Sequence, residues 1–83
     1  MLSELERNRL RWRSRRGMLE LDLLLLPYYD EVFASLDDDD QRVFIKLLEQ
    51  EDPDLLSWFS RNEIPEDDEL REMVETILMR VQP

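Results

Sequence analysis

Leu70-Arg71-Glu72-Met73-Val74-Glu75-Thr76-Ile77-Leu78-Met79-Arg80-Val81 carries the cleanest periodicity in this 83-residue chain. Leu70, Met73, Val74, Ile77, Leu78 and Val81 recur at i, i+3, i+4, i+7, i+8 and i+11, the spacing of one apolar face of an α-helix. The helix should start soon after Pro65, with the acids from Glu66 to Glu69 at its positive end. Working back along the chain, Asp52-Pro53 reads as a capping carboxylate before a proline at the first helical position. That short helix should bury Leu55, Trp58 and Phe59. Asp37 reads as another N-cap, with Asp38, Asp39 and Asp40 in the first turn and Val43, Phe44, Leu47 and Leu48 as the buried stripe.

The segment before it is apolar all round from Leu23 to Leu26, which predicts a central, deeply buried helix starting near Met18. Pro27 lacks an amide proton and clashes with the carbonyl four residues back, so it should break or kink that helix. Tyr28, Tyr29, Val32 and Phe33 then continue in a further helical segment ending near Ser35, and at least one tyrosine should be partly exposed. Leu2 to Arg16 are good helix formers with a weak amphipathic signal. Leu2, Leu5, Arg9 and Trp12 share a face, which places Trp12 and the stem of Arg9 against the body. Gly17, the only glycine, should sit at C′ and stop this first helix. No segment alternates with period 2, so the class is all-α: a small irregular bundle of about five short helices in one domain.

Charge divides the chain at the same glycine. Residues 1–16, a basic N-terminal helix, hold six arginines against two acids, a net of +4, while residues 17–83, an acidic helical body, carry −14. A chain this short buries only about 60–65% of its unfolded surface, which leaves no room for a cofactor cavity beside the core. With no cysteine and no histidine, thiolate and imidazole metal sites, disulfides, Cys or His nucleophiles and the usual general base are all excluded. The acids come as runs at helix starts, without the alternating ligands of a calcium loop, so no metal is expected. The longest apolar run is four residues, far short of a span, so a soluble protein is expected. The N-terminal arm carries Glu4 and Glu6 among its arginines and runs straight into the turn, unlike an import peptide with a removable segment; a bacterial cytoplasm is the plainer location. The acidic body and the lack of aromatic interleaving argue against nucleic acid as a partner.

The stretch Ser14-Arg15-Arg16-Gly17-Met18-Leu19-Glu20-Leu21-Asp22 has two readings. As a helix corner it is ordinary: basic last turn, glycine stop, acidic first turn. As a contact site, Arg15, Arg16 and Glu20 gather bidentate donors and an acceptor beside a glycine that lets another backbone approach. Arg16-Gly17-Met18-Leu19-Glu20 followed by Leu21-Asp22 resembles the Arg-Gly-x-x-Glu signature of the SdhE family, small succinate dehydrogenase assembly factors that promote flavin attachment. Phe44-Ile45-Lys46-Leu47-Leu48-Glu49, leading into Asp52-Pro53-Asp54-Leu55 and Trp58, is similar to that family's middle region, and Arg9 and Trp12 stand at matching distances before the signature. The turn at Asn62-Glu63 departs from relatives, which often have glycine there.

The resemblance implies a five-helix, chaperone-like assembly factor, not an enzyme. Its partner would be the flavoprotein subunit of succinate dehydrogenase, and in many bacteria of fumarate reductase, where it assists covalent linkage of FAD to a histidine. It further implies that Arg16, Gly17 and Glu20 form the partner-binding surface, with Arg9, Trp12, Arg15, Met18 and Asp22 as neighbours. No cofactor would be stably bound, since FAD and the histidine belong to the partner, and the free protein should be a monomer. An acidic interaction module or antitoxin-like regulator, a description that relatives of this family have sometimes carried, is the alternative.

Overall fold

Each helix of the computed structural model, which describes residues 3–81, begins where a side chain or a dipole-matched acid can serve its first amides. Helix α1 (Glu4–Ser14) opens on a capping box: the Ser3 hydroxyl accepts from the Glu6 amide, and the Glu6 carboxylate accepts from the Ser3 amide. Helix α2 (Leu19–Glu31) is followed by a 3-10 turn at Phe33–Ser35. Helix α3 (Asp38–Leu48) is capped by Asp37, whose carboxylate accepts from the Asp40 amide at 2.8 Å. Helices α4 (Asp52–Phe59) and α5 (Asp68–Val81) complete the chain. In α5 the Asp67 carboxylate accepts from the amides of Glu69 and Leu70 at 2.9 and 3.1 Å. Among the described residues there is no strand, and the all-α bundle of five helices expected from the sequence is what forms.

Helix α2 is the hub, packing on α1, α4 and α5, while α3 lies along α5 and touches α1. One stripe of each helix supplies the core: Leu10 from α1, Leu21, Leu25 and Tyr28 from α2, Val43, Phe44, Leu47 and Leu48 from α3, Leu55 and Phe59 from α4, and Leu70 to Leu78 from α5. Aromatic rings gather where α2 meets α3. Tyr28 stacks on Phe44 at 5.6 Å between centroids and Tyr29 on Phe33 at 5.0 Å, a geometry that adds to plain burial. On the far side, Arg42 and Lys46 of α3 pair with Glu69 and Asp67 at the start of α5.

Several expectations need correction. Pro27 does not end α2: the helix runs through it to Glu31. Nor is the leucine run buried all round, because Leu23 faces solvent and Leu24 and Leu26 are half-buried. Helix α1 turns a different face inward from the one assigned to it. Leu10 and Ser14 are buried, whereas Leu5, Arg9 and Trp12 are exposed; Leu2 lies outside the described residues. The physical reason is that one leucine and a small serine, whose hydroxyl is satisfied by the Leu10 carbonyl at 2.9 Å, let α1 approach α2 more closely than a tryptophan would. Helix α4 starts at Asp52 itself, with Glu51 as N-cap, so Pro53 occupies the second helical position and Asp52 is not the cap. Trp58 is only half-buried, and Val81 is exposed. The left-handed residue in the α4–α5 turn is Arg61, at φ 63°, ahead of the Asn62-Glu63 pair noted in the sequence.

Candidate functional site

Helix α1 ends at Ser14, and the extended backbone of its C-cap, Arg15 (φ −87°, ψ 109°), carries the chain away from the helix axis. Gly17 is therefore not at C′, as the sequence suggested, but one residue later, and it has φ 79°, a conformation that L side chains rarely adopt. A Cβ placed on Gly17 would have no atom within 4 Å, so the glycine answers to backbone conformation and leaves open space outside the turn. The Arg16 amide donates to the Asp22 carboxylate at 2.7 Å. Met18 caps α2 by its backbone alone, its carbonyl accepting from the Asp22 amide at 2.9 Å. Asp22 thus closes the connection on itself: its amide begins the helix while its carboxylate holds the residue before the glycine.

The two signature charges point opposite ways. Arg16 turns inward, its side chain only 14% exposed. Its Nε donates to the Asp52 carboxylate at 2.8 Å, its Nη1 to the Leu48 and Arg13 carbonyls at 2.8 and 3.2 Å, and its Nη2 to the Gln50 carbonyl at 2.7 Å. Four of the five guanidinium N–H groups are thereby engaged within the fold. Glu20, in the first turn of α2, is exposed and has no ion-pair partner among the described residues.

The outer faces of α1 and α2 carry a mixed set of exposed side chains. Arg15 and Arg9 are exposed and without acidic partners among the described residues, and Trp12 is 72% exposed. Trp12 and Arg9 border a shallow hollow of about 420 Å³ with Asn8 and Arg13. Leu19 and Leu23, one helical turn apart, are 69% and 61% exposed on the face of α2 opposite Leu21 and Leu25. Exposed aromatic and arginine side chains with apolar residues and one carboxylate are the residue types enriched at protein-binding surfaces. Among the described residues no cluster of carboxylates is placed to hold a metal ion.

Of the residues picked out in the sequence, the fold brings Arg15, Gly17 and Glu20 to one edge, with Arg9 and Trp12 on the exposed surface of α1. Arg16, Asp22 and, in part, Met18 face the interior. Asp52 was missed as part of this unit, because a carboxylate before proline reads equally well as a cap. Leu19 and Leu23 were missed too, though their signal was available: apolar residues opposite the Leu21 and Leu25 stripe exceed what one buried face requires.

The model of a family described as the flavinator of succinate dehydrogenase matches residues 8–81. A protein of Pseudomonas aeruginosa named FAD assembly factor SdhE is 57% identical over 83 residues, covering 100% of this chain and 99% of that relative. Proteins of the same name from Pseudomonas putida and Shewanella oneidensis are each 49% identical, over 100% and 90% of this chain and 99% and 92% of their own lengths. With the match running from the middle of α1 through α5 and including the turn that carries Arg16, Gly17 and Glu20, the chain belongs to the succinate dehydrogenase flavinator family.

Proposed function

We propose that this chain is an assembly factor that binds the flavoprotein subunit of succinate dehydrogenase and promotes covalent attachment of FAD to it, with the fumarate reductase flavoprotein as a second client where one is present. Membership of the flavinator family over residues 8–81 is the observation that carries this reading. The outward Gly17–Glu20 edge supplies its surface. Chemically, a chain without histidine or cysteine contributes position and no reacting group. Its binding energy favours the flavoprotein conformation in which the partner's histidine and the flavin methyl carbon are held in reacting register, and orientation of that kind is worth several kcal/mol of barrier. Glu20 accepts hydrogen bonds from the partner, and the exposed Arg15, Arg9 and Trp12 serve as further contacts. Gly17 lets the partner's backbone come close, a reading supported by the open space beyond its α-carbon. The chain works as a monomer in the bacterial cytoplasm and holds no FAD of its own, having no Gly-rich phosphate loop and an acidic body.

Co-expression with the flavoprotein, in a strain lacking its own factor, tests this. Flavin fluorescence that survives denaturing electrophoresis is expected only when the chain is present. Equal covalent flavin with and without it would remove the assignment.

A further inference from the structure

The inward half of the signature leads further, on the reading that the turn serves flavoprotein assembly. Arg16 sits between three elements. Its guanidinium closes the C-terminal end of α3 through the Leu48 and Gln50 carbonyls, pairs with Asp52 in the first turn of α4, and reaches back to Arg13 in the last turn of α1. A helix C-terminus presents unsatisfied carbonyls and a partial negative charge, so a planar cation with several donors fits there better than any other side chain. Its own amide meanwhile holds Asp22. Arg16 therefore fixes both ends of the connection that presents Gly17 and Glu20, and it has few donors left for a partner.

We propose that Arg16 and Asp52 form a positioning clamp: Arg16 acts in assembly by locking the α1–α2 turn onto the α3–α4 junction, and Asp52, 36 residues away in sequence, belongs to the same functional unit. Were Arg16 instead a direct contact, its ion pair would compete with the partner, and removing Asp52 would free the guanidinium and leave assembly intact or improved. A clamp requires the opposite. Loss of Asp52 leaves the guanidinium facing carbonyls alone, so the turn samples other conformations while the helices, held by their own core stripes, stay folded.

The test uses the full chain with Arg16→Ala, Asp52→Ala, the double variant and Asp52→Glu. Amide hydrogen exchange is read at residues 15–20 and in α5, and covalent flavin is read on the co-expressed flavoprotein. Asp52→Ala is expected to speed exchange of the Arg16 amide by roughly tenfold or more, with α5 unchanged. It should lower covalent flavin to the level of Arg16→Ala, with the double variant no worse than either single, the non-additivity expected of one unit. Asp52→Glu, which keeps the carboxylate, should restore part of both. Asp52→Asn keeps the shape of the side chain and replaces Asp52→Ala should that variant unfold. Unchanged exchange would overturn the clamp, and accelerated exchange with wild-type covalent flavin would overturn its role in assembly. Failure of the wild-type chain to stimulate flavin attachment would count against the assembly reading alone, because the exchange data decide the clamp without it.

Discussion

Gly17 and Glu20 separate backbone geometry from contact chemistry at the level of single residues. At φ 79° with open space beyond its α-carbon, Gly17 resists substitution through conformational strain and not through a clash. Gly17→Ala and Gly17→Arg should therefore cost a similar amount of stability, about 1 kcal/mol, measured by urea unfolding. They should differ in assembly, with the long side chain blocking flavin attachment more severely than the methyl group. A much larger stability loss for the arginine variant would mean that the space outside the turn is not free. Glu20→Ala should change stability by no more than about 0.3–1 kcal/mol, the worth of a first-turn acid, yet abolish flavin attachment. Wild-type levels of covalent flavin would return Glu20 to an ordinary helix start. That a glycine between opposite charges marks a turn was legible in the sequence. The inward course of Arg16 was not, because its partners Leu48, Gln50 and Asp52 lie more than thirty residues away and two of them offer only backbone carbonyls.

Helices α3 and α5 were legible as elements because each has one unambiguous stripe and acids at its start, and both stripes are buried, the terminal Val81 aside. Helix α1 was legible as a helix but not in its orientation, since the large apolar residues lie away from the core and a single leucine faces it. Leu10→Ala should accordingly destabilise the fold by about 2–4 kcal/mol, whereas Trp12→Ala should stay within about 0.5 kcal/mol. Thermal or urea unfolding of the two variants decides between the faces, and a reversed order would restore the face that the sequence suggested. Helix α2 shows tertiary packing overriding a local rule: Tyr28, immediately after Pro27, is buried against Phe44, and Leu23, whose carbonyl loses its donor to the proline, lies on the solvent side. Pro27→Ala should then stabilise the chain by roughly 1–3 kcal/mol, because it restores that bond within a continuous helix. A loss of stability would show that the proline ring is needed to seat Tyr28 and Phe33.

For the molecule as a whole, the charge division read from the sequence is real in composition but bridged in space. Arg11 pairs with Asp30 and Arg16 with Asp52, joining the basic N-terminal segment to the acidic body, and the radius of gyration, 12.0 Å, matches the value of about 12 Å for a globular chain of this length. Stability should follow pH through a few identifiable groups. The Lys46 ammonium beside it holds the Asp67 carboxyl below its ordinary 3.8, Arg42 holds Glu69 below 4.5, and the Ser3 amide does the same for Glu6. Each is a weaker base when folded than when unfolded, so its contribution is complete above the ordinary value and is lost as pH falls through the folded one. At the other end, Asp67 raises Lys46 above 10.5, and burial raises Tyr28 and Tyr29 above 10.0. These groups keep their protons longer in the folded chain, so their contribution is complete below about pH 10 and is lost as pH rises through the folded values. The two flanks should differ in steepness. Acid also discharges the crowded carboxylates of a chain carrying −10, which relieves self-repulsion and softens the loss, whereas alkali removes the few cations and adds to it. Urea midpoints at about pH 3, 7 and 11 should show a plateau around neutrality, a shallow acid decline and a steeper alkaline one at low ionic strength. Salt near 1 M, where the Debye length is only about 3 Å, should bring the two flanks closer together. A stability that climbs steadily below pH 4 in high salt would mean that the ion pairs between α3 and α5 contribute nothing the fold depends on.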